Sequence, residues 1–282
     1  MCQKEEKVKK LLEDLYKQYN SFEQYQRDPI IFPHRYSDER DIEIAGLIAS
    51  SFAYGRLELF MAVLDKIFKI LGDSPADFVE NFDFERDLKY FDGINYRFNN
   101  YIDVIALIYS ISESIKKWGS LKNLFQHEFN KTNDIKSALI GFVNELKTCV
   151  NNEAYYHREV SRFDYLLISP EKGSACKRLN LFLRWMVRDK DIDFGIWKEA
   201  GKENLIIPLD THVGDISRCL GLLRRKSNDW KAALELTNSL KKFDPHDPVK
   251  YDFALCHIGI DGVCNRNRCD NCEILKLLGQ DL

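Results

Sequence analysis

Lys177 follows a turn of small residues, Gly173-Ser174-Ala175-Cys176, at the head of an amphipathic segment. Asp210 falls between the apolar run Leu205-Ile206-Ile207-Pro208-Leu209 and the pair Thr211-His212. A lysine attacks an electrophilic carbon only as the neutral amine, a form that partial burial and a neighbouring cation such as Arg178 favour. A carboxylate held at a helix N-terminus remains charged and can offset positive charge that develops in a transition state. The pair fits an amine nucleophile with an electrostatic partner. The competing reading is a surface lysine and an aspartate that only caps a helix.

The elements that must position this pair are helical. Val8, Leu11, Leu12, Leu15 and Tyr19 recur at helical spacing over residues 5–20. After Pro29 and Pro33 break the pattern, residues 42–54 are apolar nearly all round, which predicts a buried central helix capped by Asp38 or Asp41. Further helical patterns run over residues 57–71, closed by Gly72-Asp73-Ser74-Pro75, and over 101–118, 135–150 and 251–260. A helix over about 175–187 puts Leu179, Phe182, Leu183 and Met186 on its core face and Lys177, Leu181, Arg184 and Arg188 on another stripe. Pro208 biases Ile207 away from helix, so Asp210 is expected to cap a helix starting near Thr211. With no sustained alternation of polar and apolar residues, the expected fold class is all-α, one unit or two lobes sharing a cleft.

Composition excludes several function classes. The 282 residues are 45% hydrophobic, enough for a substantial core. No apolar run approaches the length of a membrane span, and the first ten residues are charged with no apolar stretch behind them, so a cytoplasmic protein is expected. The net charge of -3 does not advertise nucleic-acid binding, but residues 170–190 hold Lys172, Lys177, Arg178, Arg184, Arg188 and Lys190 against Glu171 and Asp189. That local surplus would suit a phosphate backbone; the alternative is a solvated basic face.

The order of these motifs resembles the helix-hairpin-helix (HhH-GPD) DNA glycosylase superfamily: a small-residue turn, Lys177 with Asn180 three positions on, then Asp210-Thr211-His212 with Arg218 downstream. The wording Gly-Ser-Ala-Cys-Lys-Arg-Leu-Asn and Leu-Ile-Ile-Pro-Leu-Asp-Thr-His is most similar to a bacterial family of that clan with no assigned function. The resemblance covers about residues 41–272. It implies a two-lobed all-α fold, about 40–150 in one lobe and 1–39 with 151–282 in the other, with a hairpin-like motif at 168–188. It also implies a monomer acting on double-stranded DNA with a damaged base, a glycosylase with or without AP lyase activity, Lys177 attacking the sugar C1′ and Asp210 supporting the developing charge. The resemblance places Phe52 where endonuclease III has a residue that enters the duplex, matches Tyr96-Arg97 to its Tyr-Arg, and makes Arg97, Gly173, Ser174, Arg178, Arg184 and Arg188 DNA contacts. Two departures stand out: Ile168-Ser-Pro-Glu-Lys-Gly-Ser-Ala-Cys176 replaces the usual Leu-Pro-Gly-X-Gly, and the Lys177–Asp210 interval is longer than in endonuclease III. That longer interval is similar to the archaeal 8-oxoguanine glycosylases, which implies an oxidised purine as substrate.

Eight cysteines in a cytoplasmic protein do not read as a disulfide framework. Cys264, Cys269 and Cys272 form a C-x₄-C-x₂-C, with Cys256 eight residues upstream on an apolar helix. Endonuclease III keeps a [4Fe–4S] cluster in the corresponding region, so the resemblance implies a cluster. Four thiolates could equally hold zinc, or be ordinary packing thiols. Trp185, Trp197 and Trp230 read as core residues. Two alternatives to a glycosylase remain: a nucleic-acid-binding protein that keeps the fold without base excision, and a metal-stapled helical protein with protein partners.

Overall fold

The computed structural model describes residues 3–19, 25–151 and 162–260. The described residues are all-α apart from one tiny hairpin. In order the helices are α1 (Gln3–Tyr19), α2 (Glu39–Phe52), α3 (Leu57–Leu71), α4 (Pro75–Glu80), α5 (Phe84–Phe91), α6 (Tyr101–Trp118), α7 (Leu121–Thr132), α8 (Ile135–Asn151), α9 (Phe163–Leu166), α10 (Lys177–Val187), α11 (Thr211–Cys219), α12 (Trp230–Lys241) and α13 (Asp252–Ile260). The strands β1 (Asn95–Tyr96) and β2 (Asn99–Asn100) pair antiparallel. At two residues each they are too short to show a strand's alternation in sequence. Among the described residues, no helix is long and apolar enough to cross a membrane.

The middle of the chain packs around α6, which touches α4, α5, α7, α8 and α9, while α13 packs on α1 and α11. The two groups meet where α2 lies against α10. Glycine makes this contact possible: a Cβ at Gly46 would stand 2.9 Å from the Met186 methyl and 3.3 Å from the Phe182 ring. The apolar core runs continuously through both groups.

Capping follows the expected chemistry with one exchange of partners. Asp38, not Asp41, caps α2, accepting from Arg40 N at 2.8 Å. Asp41 is buried and accepts instead from Ala76 N and the Ser74 hydroxyl, which fixes the start of α4. The long interval between α10 and α11 is a packed strap. Phe194 N and Trp197 N donate to the carbonyls of Trp185 and Met186, and the Trp197 indole donates to the buried Glu43 carboxylate at 2.8 Å. Trp185, Trp197 and Trp230 are all core residues.

Candidate active site

The turn before α10 is built around two left-handed residues, Gly173 at φ +85° and Cys176 at φ +48°. A Cβ at Gly173 would meet nothing, so glycine is needed there for its backbone angle alone. Trp230 N donates to Gly173 O, Ser174 bridges to Asp229, and the Ser174 hydroxyl accepts from Cys176 N. From inside, the Asn180 amide donates to Ala175 O at 2.9 Å. The lysine-bearing end of α10 is thereby fixed to the start of α12 and to its own first turns.

Asp210 caps α11 and faces the lysine at the same time. One oxygen, Oδ1, accepts from Val213 N at 2.9 Å; the other, Oδ2, is 4.0 Å from Lys177 Nζ. Lys177 Nζ also lies 3.4 Å from Ala53 O at the end of α2. Both side chains are partly covered, 27% exposed for Lys177 and 23% for Asp210, so the amine is sheltered yet reachable. Asn228 donates to Asp210 O, tying this cap to the loop before α12. The cap reading and the partner reading of Asp210 are therefore compatible, one oxygen serving each.

The pair opens into a cleft of about 740 Å³ whose wall takes residues from the α2–α3 turn, the segment before α10, and the starts of α10, α11 and α13. Arg27 and Arg56, exposed residues that sequence reasoning missed, line it with Lys177. Tyr54 and Tyr165 lie on its wall, packed edge to face with ring centroids 5.1 Å apart. Tyr165 is held in place indirectly: Asp103 accepts from Arg162 N and Asn99 donates to Arg162 O, so α6 and the hairpin anchor the segment that carries it.

The other candidate DNA contacts divide sharply. Arg97 is exposed at the hairpin, with φ +52° and its guanidinium 5.5 Å from the exposed Phe98 ring, and Ser174 lines the cleft. Phe52, by contrast, is 0% exposed. It lies inside the central helix α2 and cannot enter a duplex, which corrects the expectation drawn from its position. Arg178 is also committed inside: its guanidinium donates to Ser51 O at 2.6 Å and to Tyr165 O, and stands 4.9 Å over Tyr54 and 5.0 Å over Tyr165. It braces the cleft wall and has no spare face for phosphate.

Arg184 and Arg188 are a second correction. Both are 3% exposed and locked in a buried ionic network. Arg184 meets Asp193 at 3.0 Å and Asp252 at 2.6 Å; Arg188 meets Asp193 at 2.9 Å, Asp191 at 2.7 Å and Asp247 at 2.8 Å. Burial alone would lower both guanidinium pKa values, but Asp193 with Asp252 around Arg184, and Asp193 with Asp247 around Arg188, raise them well above the usual range. The stripe that Lys177 shares with these arginines leads inward to carboxylates, not outward to phosphate.

Cys256 stands at the cleft with Sγ 3.9 Å from Asp210 Oδ2. Burial, and then the Asp210 charge, push its thiol well above the ordinary range, so a neutral S–H faces the carboxylate. Among the described residues no group of three or more His, Cys, Asp or Glu side chains is arranged to hold a metal. Cys264, Cys269 and Cys272 lie outside the described residues.

A family model described as "Protein of unknown function (DUF2400)" matches residues 28–261, a span that contains Lys177, Asp210, Asp252 and Cys256. No curated protein and no solved structure matches the chain.

Proposed function

Because the chain belongs to the DUF2400 family, whose function is not established, its reading rests on the cleft, and we propose that it is a DNA glycosylase using Lys177 as nucleophile. One observation carries this reading: the Lys177 amine stands 4.0 Å from an Asp210 oxygen on the wall of a cleft of about 740 Å³. The rings of Tyr54 and Tyr165 on the cleft wall give an unstacked base aromatic neighbours, and Arg27 and Arg56 put positive charge at the same cavity for a phosphate backbone. A target base inside a duplex is out of reach of Lys177, so the nucleotide must leave the stack to enter the cleft. The resemblance in the motifs around Lys177 and Asp210 points the same way.

In the proposed reaction the Lys177 nitrogen bonds to the sugar C1′ while the glycosidic C1′–N bond breaks and its electron pair leaves with the base. The sugar C1′–O bond then breaks with its electron pair going to the oxygen, which takes a proton from the Lys177 nitrogen, and this leaves an imine between Lys177 and C1′. Asp210 Oδ2 balances the positive charge that builds at C1′ and on the imine, a contribution that grows only in the transition state. This chemistry runs through no metal.

The test is borohydride trapping against duplexes that each carry one lesion. Oxidised purines come first, because the longer Lys177–Asp210 interval is the feature that favours them. Covalent protein–DNA adducts with at least one lesion, and none with an undamaged duplex, are the expected result. Failure to trap any lesion while DNA is bound would favour a non-catalytic nucleic-acid-binding protein.

A further inference from the structure

The buried network behind the cleft is out of balance. Two guanidiniums, Arg184 and Arg188, face four carboxylates, Asp191, Asp193, Asp247 and Asp252, on side chains no more than 17% exposed. The nearby Lys250 does not correct the deficit, since its ammonium meets Glu13 at 2.8 Å and Asp244 at 3.1 Å. Tyr16 adds a hydroxyl donor to Asp191 but no charge. Uncompensated negative charge in such a place is costly, and a bound proton is the simplest relief. Asp193 takes both arginines and Asp191 takes Arg188 with the Tyr16 hydroxyl, whereas Asp247 and Asp252 each meet one guanidinium. Of these two, Asp252 lines the cleft with Lys177 and Asp210.

We infer that Asp252 is the proton donor of the cleft, the residue that protonates the leaving base as Lys177 attacks. The inference rests on the glycosylase reading and adds a second carboxyl to it, one turn of α13 before the Cys256 thiol that meets Asp210. The groups bearing on Asp252 are Arg184 and Lys177 from α10, Asp210 from the start of α11, Cys256 from α13 itself, and Asp193 of the strap, which shares Arg184 with it; His257 of α13 lies 3.8 Å from Asp28. From α1, Glu13 is engaged by Lys250 and the Tyr251 hydroxyl. Burial raises the Asp252 carboxyl to about 6 against the pull of Arg184, so near neutrality it holds a proton part of the time. Burial also raises Asp247, the other carboxyl with a single guanidinium.

The step balances without any outside reagent. Lys177 N bonds to C1′, the C1′–N pair goes to the base nitrogen, and that nitrogen takes the Asp252 proton. The ammonium so formed on Lys177 returns a proton to the Asp252 carboxylate, which is then ready for the next turnover. Asp210 stays free of proton traffic and serves the positive charge alone, a division of labour between two carboxyls in different surroundings.

Two measurements on the full chain test this. In single-turnover base release both proteins need the neutral Lys177 amine, so the ratio of the parent rate to that of Asp252→Asn isolates the donor: it should be on the order of 10² at the acid end and fall about tenfold per pH unit above about pH 6. The asparagine still offers Arg184 a carbonyl oxygen, so a purely structural role predicts a ratio independent of pH. Infrared difference spectra of protein labelled at its aspartate carboxyl carbons should show a protonated-carboxyl band that titrates near 6 in the parent and is missing from Asp252→Asn. A rate ratio flat from about pH 5 to about pH 8, or no titrating carboxyl band lost with Asp252, would each overturn the assignment. If the asparagine variant does not fold, Asp252→Glu, which keeps a carboxyl for Arg184, takes its place in the infrared measurement and should lose the same labelled band. A parent protein that traps no lesion removes the glycosylase reading and the donor role with it, while the infrared titration still reports independently whether Asp252 holds the proton.

Discussion

The two ends of α10 carry the same class of residue in opposite circumstances. At the first turn Lys177 reaches a single carboxylate at 4.0 Å and keeps 27% of its side chain open to a cleft. Two and three turns on, Arg184 and Arg188 are closed in with four aspartates at 2.6–3.0 Å. A loosely paired cation on a cavity wall is available for chemistry, whereas a saturated one is structure. Charge counted along a sequence does not distinguish the two, because the deciding partners arrive from elsewhere. Asp252 joins the two regions, meeting Arg184 on one side and lining the cleft on the other.

The comparison predicts that changes at the cleft end act on chemistry and changes at the buried end act on stability. Asp210→Asn should lose on the order of 10² or more in excision rate with DNA affinity unchanged within a few-fold, read from single-turnover assays beside binding titrations. Equal activity in that variant would reduce Asp210 to the cap of α11. Arg184→Met leaves Asp193 and Asp252 facing each other without their shared cation and should cost about 3–5 kcal/mol in urea unfolding. The salt dependence of its DNA binding should match the parent's, since Arg184 is only 3% exposed and is paired with two carboxylates; a flatter slope would return this arginine to the DNA-contacting surface.

Protonation sharpens the comparison further. The folded-state Asp252 carboxyl lies near 6, above its ordinary 3.8. Its contribution to stability is therefore fully present below about 3.8 and is lost as pH rises through about 6. In the difference between the parent and Asp252→Asn, stability should decline across that window by no more than about 3 kcal/mol. A difference independent of pH would mean that Asp252 is charged throughout. The smallest effect belongs to Lys172, exposed beside the Gly173 turn. Lys172→Gln should weaken binding a few-fold for all DNA sequences alike and reduce the salt slope by about one.

Much of the scaffold was legible because it is written in local patterns. The bounds of α3, α6 and α13 follow apolar spacing together with Gly72, Asn100 and a short apolar run, and Pro208 with Asp210 marks the start of α11. Lys177 and Asp210 were legible for the same reason, each sitting in a distinctive local setting. The fates of Phe52, Arg178, Arg184 and Arg188 were not, since they depend on contacts distant in sequence. Arg178 bonds to Ser51 O across 127 positions, and Arg184 meets Asp252 across 68. One signal was available: Asp189, Asp191 and Asp193 follow α10 directly, an acidic run close enough to neutralise the basic stripe before it. Arg27, Arg56, Tyr54 and Tyr165 carry no motif at all, and only folding brings them to the lysine.

The central claim is that Lys177 forms a covalent bond to a damaged nucleotide, and borohydride trapping with the parent protein and Lys177→Gln tests it most directly. The account predicts a trapped protein–DNA adduct with the parent on at least one lesion-bearing duplex, and none with Lys177→Gln, while both proteins bind that duplex. Undiminished trapping by Lys177→Gln would contradict it and send the search for the nucleophile to another amine.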